Sequence, residues 1–279
     1  MEAILNAGFQ GIFYPARACD KAMIVVTGSD GGIRWARRIA AVFANRGVPA
    51  LAVAYWGVKG TAKTLSLIPL ETIQQAVSWL HQRGYTKVGI YGVSKGAELA
   101  LTAASLIPEI KLVVAVSPAC CVFEGIAKPK FSGSSSWTWQ GQALPYASFK
   151  GIQTNMVKNI LLNREFGFSK QYIEVLATKK EEANTIKVEN INGAILLISP
   201  AQDAQWPSAQ MAAMIMERLQ SKGFPFPFHH AIFSPASHIL CPVNTPARFA
   251  YRIERKHAAA CNESREEALA FTFDWIENL

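Results

Sequence analysis

Lys87-Val88-Gly89-Ile90-Tyr91-Gly92-Val93-Ser94-Lys95-Gly96-Ala97-Glu98-Leu99 is the stretch that decides the fold. Its first five residues read as a buried strand, and residues 97–107, rich in alanine and leucine, read as a helix. Between them Gly92-Val93-Ser94-Lys95-Gly96 has the spacing G-x-S-x-G. A strand that turns abruptly into a helix leaves its apical serine in a strained conformation, and glycines two before and two after remove the side chains that would clash there. The pentapeptide is weak evidence by itself. The strand before it and the helix after it supply the required context. The plain alternative is a tight turn with an incidental serine.

The same rhythm runs outward in both directions. Residues 23–27 form an apolar run that stops at Gly28-Ser29-Asp30-Gly31-Gly32, and a helix over 33–46 follows, closed by Gly47. Strands are expected at 48–55, 111–117, 194–199 and 228–233, with helices from Pro69 and Glu71 to just before Gly84, over 208–222 and over 263–278. Short β-branched runs alternating with helices describe a mainly parallel sheet flanked by helices, in one α/β domain over residues 1–279. Residues 120–192 break the rhythm and are expected to form an inserted cap or lid. They hold Gly133-Ser134-Ser135-Ser136-Trp137-Thr138-Trp139 and two expected helices, near 151–162 and 169–177. Trp137 and Trp139 either line a substrate pocket or pack the lid onto the core.

A serine hydroxyl needs a base to become a nucleophile, and in the α/β-hydrolase fold the chain order is serine, acid, histidine. Asp203 follows the strand at 194–199 and His238 follows the strand at 228–233, so both fall on the sheet edge that carries Ser94. The expected triad is therefore Ser94, Asp203 and His238. Glu124, after the strand at 111–117, is the alternative acid. His229 and His230 lie in a strand, His81 in a helix and His257 in a charged segment. For the oxyanion, the expected donors are the backbone N–H groups of Lys95 and Ser29, with Asp30 next after Ser29. A dinucleotide loop is the rival reading of residues 28–32, but the G-x-G-x-x-G spacing is missing and no acidic residue ends the following strand. No cofactor and no metal is expected.

Composition narrows the partners. Half of the 279 residues are apolar and 17% are charged, which suits a globular core. The apolar runs are too short to span a bilayer. The N-terminus has no basic region ahead of an apolar stretch, and the last three residues are no peroxisomal address. Five cysteines without metal-ligand spacing read as reduced thiols, so a cytoplasmic protein is expected. The formal charge of +8 suits an anionic small molecule. Its basic residues are scattered, as in Arg34, Arg37-Arg38 and Lys179-Lys180, and no nucleic-acid-binding motif accompanies them.

The chain resembles the C-terminal catalytic domain shared by acyl-CoA thioesterases and bile acid-CoA:amino acid N-acyltransferase, within the dienelactone-hydrolase-like group. The resemblance lies in residues 26–32, in Ala52-Val53-Ala54-Tyr55-Trp56-Gly57, in Tyr91-Gly92-Val93-Ser94-Lys95-Gly96-Ala97-Glu98-Leu99, in 195–208 with Gln202-Asp203, and in Ser237-His238. It implies the same triad and an acyl-CoA substrate. The aminoacyl-transferring branch carries cysteine at the nucleophile position and the thioesterase branch serine, so Ser94 implies hydrolysis. A small-ester hydrolase, an acyl-CoA:amino acid N-acyltransferase and a non-catalytic binding protein are the alternatives. The longer members carry an N-terminal β-sandwich; here only a few residues are expected before the first strand. Ser29-Asp30 also departs from the more uniformly glycine and apolar turn of the relatives.

Overall fold

The computed structural model describes residues 1–5, 7–17, 19–127, 130–152, 165, 167–243 and 245–277. Its centre is an eight-stranded sheet. In chain order its strands are β1 (Glu2–Ile4), β2 (Gln10–Tyr14), β3 (Lys21–Val26), β4 (Ala50–Ala54), β6 (Lys87–Val93), β7 (Ile110–Val116), β12 (Ala194–Pro200) and β13 (Phe228–Phe233). They lie in the spatial order β1-β2-β4-β3-β6-β7-β12-β13. From β4 to β13 every pairing is parallel, while β1 and β2 add an antiparallel edge. That edge was not expected from the sequence, which placed the first strand at residue 23. β2 is five residues with a glycine at its second position and partial burial on alternate positions, too short to stand out as a pattern.

Period-two alternation in the strands divides the core into two layers. Ile24, Val26, Leu51, Val53, Val113 and Ala115 face one layer, with α2 (Glu71–His81), α3 (Lys95–Ala104) and α5 (Ser208–Ser221). Met23, Val25, Ala52, Leu112 and Val114 face the other, with α1 (Arg34–Asn45) and α7 (Ala258–Glu277). There Phe43 meets Tyr91 edge-on and Phe273 at a tilt, with ring centroids 5.3 and 5.1 Å apart. No helix among the described residues is long and apolar enough to cross a membrane.

The insertion is largely strand. A hairpin of β8 (Glu124–Ala127) and β9 (Lys130–Ser135) leads to β10 (Trp137–Trp139), which pairs with β5 (Ile68–Pro69) and β11 (Gln142–Ala143). One of the two expected helices is present as α4 (Ser169–Lys179); the other, near 151–162, falls outside the described residues except at its start.

Every residue of α3 is buried, including Lys95 and Glu98. Such charges survive burial only when paired and hydrogen-bonded. Lys95 Nζ lies 2.9 and 2.8 Å from the two oxygens of Glu98 and donates to Ser136 Oγ at 2.7 Å. Glu98 Oε1 also accepts from Phe123 N at 3.1 Å and Trp137 Nε1 at 2.9 Å. Burial pulls the lysine below its usual range and pushes the carboxyl above, while each charge resists the change in its partner. The ion pair therefore fastens the insertion to the central helix. Glu98→Gln strands a buried ammonium and is expected to cost about 3–5 kcal/mol of unfolding free energy. The double variant Lys95→Met/Glu98→Gln keeps an acceptor for the two N–H groups and should be more stable than that single variant. Chemical denaturation measures both; a single variant as stable as the parent would contradict the anchoring role.

Candidate active site

Ser94 sits between β6 and α3 with φ 60° and ψ −124°, the strained elbow expected from the sequence. The flanking glycines have no room for side chains. A Cβ at Gly92 would lie 2.2 Å from the Gly96 carbonyl oxygen, and one at Gly96 would lie 2.6 Å from that of Thr27. The glycine-rich turn after β3 presses on the same point, since a Cβ at Gly28 would meet the Ser94 Cβ at 2.9 Å.

His238 Nε2 lies 2.8 Å from Ser94 Oγ, and its Nδ1 lies 3.0 and 2.9 Å from the two carboxylate oxygens of Asp203. An ionised carboxylate only accepts, so Nδ1 carries the proton and Nε2 is left to accept from the serine hydroxyl. Asp203 is held in turn by the N–H groups of Gln205 and Trp206 at 2.9 and 3.3 Å and by Ser208 Oγ at 2.6 Å. The loop of His238 is fixed from behind. Ser117 Oγ donates to the His238 carbonyl at 3.0 Å, and Ser237 Oγ donates to Glu254 at 2.6 Å. Glu254 is fully buried and forms a two-point ion pair with Arg265. Trp206 packs edge-on against the imidazole, centroids 5.5 Å apart.

The other candidates lie elsewhere. Glu124, in β8, accepts from Gly133 N, Phe149 N and Ser148 Oγ and closes the insertion on itself. His230 contacts Ser199 Oγ in the edge strand β13, and His229 sits against Phe271 and Trp275. His81 ends α2, and His257 follows α6 (Arg252–Lys256).

Lys95 opens α3, its N–H next in the chain to Ser94 and its side chain committed to Glu98. In the turn after β3, Tyr55 Oη donates to the carbonyls of Thr27 and Gly28, and Trp56 Nε1 donates to that of Gly28 at 3.3 Å. Burial holds the Tyr55 phenol far above its usual range, so it stays a donor. With the Gly28 C=O pinned on that side, planarity of the trans peptide turns the Ser29 N–H the other way. Asp30 accepts from Thr27 Oγ1 at 3.1 Å.

Ser94 and His238 open into a cavity of about 180 Å³. Its walls include Trp35, Gln205, Ile239, Cys241, Val243 and Tyr251. Among the described residues none of the lining comes from 120–192. Trp137 is fully buried against Tyr55 and Glu98, and Trp139 packs on the core. Of the two sequence readings of these tryptophans, the structure keeps the packing one. Among the described residues the insertion comes near the rim at its returning end, where Phe168 N donates to the Gln205 carbonyl at 3.1 Å. The wall residues at 239–251 were not singled out from the sequence, because they follow no periodic pattern. Cys241 is the thiol in the cavity, and burial pushes it up to about 12, which suppresses the reactive thiolate.

The family model described as BAAT / Acyl-CoA thioester hydrolase C terminal matches residues 68–272. Acyl-coenzyme A thioesterase 1 of Homo sapiens is 27% identical over 202 residues, covering 70% of this chain and 43% of that protein. The mitochondrial acyl-coenzyme A thioesterase 2 of Mus musculus is 25% identical over 205 residues, covering 72% and 41%. The matched region thus spans less than half the length of either relative. Among solved structures, a Klebsiella pneumoniae protein classed as a dienelactone hydrolase superposes with TM-score 0.56 at 14% identity, over 97% of this chain and 93% of its own. The acylaminoacyl peptidase of Pyrococcus horikoshii superposes with TM-score 0.56 at 12% identity, over 94% and 38%. These likenesses show the fold, an α/β hydrolase.

The tightness of the elbow is open to direct measurement. Gly92→Ala forces a side chain into the Gly96 carbonyl and is expected to cost about 1–3 kcal/mol, the range of core overpacking. An unchanged denaturation midpoint would mean that the strand and the helix of the elbow are looser than their spacing indicates.

Proposed function

The chain belongs to the BAAT / acyl-CoA thioester hydrolase C-terminal family, and from that premise we propose that it is a serine hydrolase of acyl-CoA thioesters. The observation that carries the reading is the single imidazole that bridges Ser94 Oγ at 2.8 Å and Asp203 at 2.9 Å. His238 Nε2 takes the hydroxyl proton as Ser94 Oγ attacks the thioester carbonyl carbon. Asp203 keeps the imidazole in the required tautomer and stabilises the imidazolium. The N–H groups of Lys95 and Ser29 receive the oxyanion. When the C–S bond breaks, the imidazolium proton goes to the departing thiolate. Water, deprotonated by the same imidazole, then releases the acid and restores Ser94.

Water is the expected acceptor. An acyl-serine is an oxygen ester, which amines attack less readily than a thioester. The five cysteines, read from the sequence as reduced thiols, carry the proposal of a cytoplasmic protein. A second reading, hydrolysis of small oxygen esters, is favoured by one observation: the cavity of about 180 Å³ is below the usual range of ligand pockets, about 300–1,000 Å³.

Turnover of matched acyl-CoA thioesters and oxygen esters separates the two readings; a preference for the oxygen esters would favour the second. In either case Ser94→Ala and His238→Ala should each lower kcat on the order of a millionfold, and Asp203→Asn less, on the order of ten-thousandfold. Glu124→Gln should leave kcat within a few fold. A crippling Glu124→Gln beside a mild Asp203→Asn would move the acid to the other strand. With glycine or taurine present the products should remain free acid and CoA. Abundant N-acyl amino acid, seen by mass spectrometry, would make the protein a transferase working through serine.

A further inference from the structure

The cavity at Ser94 adjoins a second, larger one of about 450 Å³, and Val243 borders both. The second cavity lies between α1 and α7, with Val42, Arg46, Pro242, Arg248 and Arg265 among its walls. Arg248 stands in a short 3₁₀ turn, Pro246–Ala250, and is only 8% exposed. One of its nitrogens, Nη1, donates to Asn262 Oδ1 at 2.7 Å, and the guanidinium lies 4.8 Å from the Phe249 ring centroid. Its Nε is buried without an acceptor, and among the described residues no carboxylate pairs with it. The neighbouring acids do not fill that role: Glu254 is committed to Arg265 and Ser237, and Glu266 is exposed at the rim. Arg46, also exposed, lies above the Phe273 ring at 5.1 Å. A guanidinium this buried is costly without a counter-ion, so the cavity is short of one negative charge.

Distance connects this deficit to the reaction. Trp35 borders the first cavity and Val42 the second. They are seven residues apart on one face of α1, about 10 Å along its axis, and Arg46 is about 16 Å along from Trp35. In coenzyme A, twelve bonds separate the thioester sulfur from the first phosphate oxygen. Four extended residues have the same number of backbone bonds and reach about 13–14 Å.

We propose that Arg248, with Arg46 at the mouth, binds the phosphate groups of the CoA leaving group. The pantetheine arm runs past Val243 along the Trp35 and Val42 face of α1. This inference rests on the thioester reading of Ser94 and adds to it the basis of selection: the phosphates are held by a site separate from the acyl cavity. The small acyl cavity and a large leaving group are then compatible.

The test uses the full chain carrying Ser94→Ala, titrated calorimetrically with CoA and with pantetheine, which lacks the phosphates. CoA is expected to bind at least tenfold more tightly than pantetheine. Arg248→Gln should remove most of that difference and Arg46→Gln about threefold of it. Equal affinities in the parent, or a full CoA preference in a folded Arg248→Gln protein, would overturn the site. Should Arg248→Gln fail to fold, Arg46→Gln decides: an unchanged CoA preference in that protein overturns the proposal. Steady-state hydrolysis keeps the two readings apart. Turnover of acyl-pantetheine as efficient as that of acyl-CoA defeats the phosphate site and leaves the serine thioesterase standing. CoA binding through Arg248 without turnover of either thioester defeats the reaction and leaves the site.

Discussion

The left-handed backbone of Ser94 is the constraint on which the rest of the molecule is arranged. A non-glycine residue at φ 60° and ψ −124° costs on the order of 1–3 kcal/mol and persists only where its surroundings over-determine it. Those surroundings are Gly92, Gly96 and Gly28, whose missing side chains let β6, α3 and the turn after β3 close on one point. The same closure brings the turn bearing the Ser29 N–H beside the serine. Strain and proximity are thus one feature seen twice.

Such close packing leaves α3 enclosed on every side, and this explains the two charges in its first turn. Lys95 and Glu98 face no water, and each finds its counter-charge in the other. The remaining capacity of the pair goes to Phe123, Ser136 and Trp137. A helix that needs only packing would carry alanine at both positions, so the Gly-Val-Ser-Lys-Gly-Ala-Glu-Leu string encodes the elbow and the attachment of the insertion together. The described part of the insertion is thereby a buttress behind the site. The wall of the cavity at Ser94 comes instead largely from the chain after His238, braced through Glu254 and Arg265.

Much of this was legible in the sequence, for local reasons. Buried parallel strands such as Ile110–Val116 and Ala194–Pro200 are continuous apolar runs, and the elbow has a fixed glycine spacing. Ser94, Asp203 and His238 could be brought together because each follows a strand of known direction. What stayed hidden depends on contacts made outside the segment itself. Strand Lys130–Ser135 is a serine- and glycine-rich segment whose pairing partner, not its composition, makes it a strand. The segment 239–251 has no periodicity, so its place against Trp35 could not be read. Arg248 looked like one scattered basic residue, and only its burial without a carboxylate distinguishes it. The final helix starts at Ala258 rather than at Glu263, because alanines extend it without adding to any pattern.

The proposed reaction passes an acyl group through Ser94. The most direct measurement is to quench the protein within one turnover of acyl-CoA and weigh it intact, then locate the added mass in its peptides. One acyl group per chain, on the peptide holding Ser94, together with a burst of one equivalent of free CoA, is the expected result. Thioester cleavage without a burst, or an acyl group on Cys241 at the cavity wall, would contradict it.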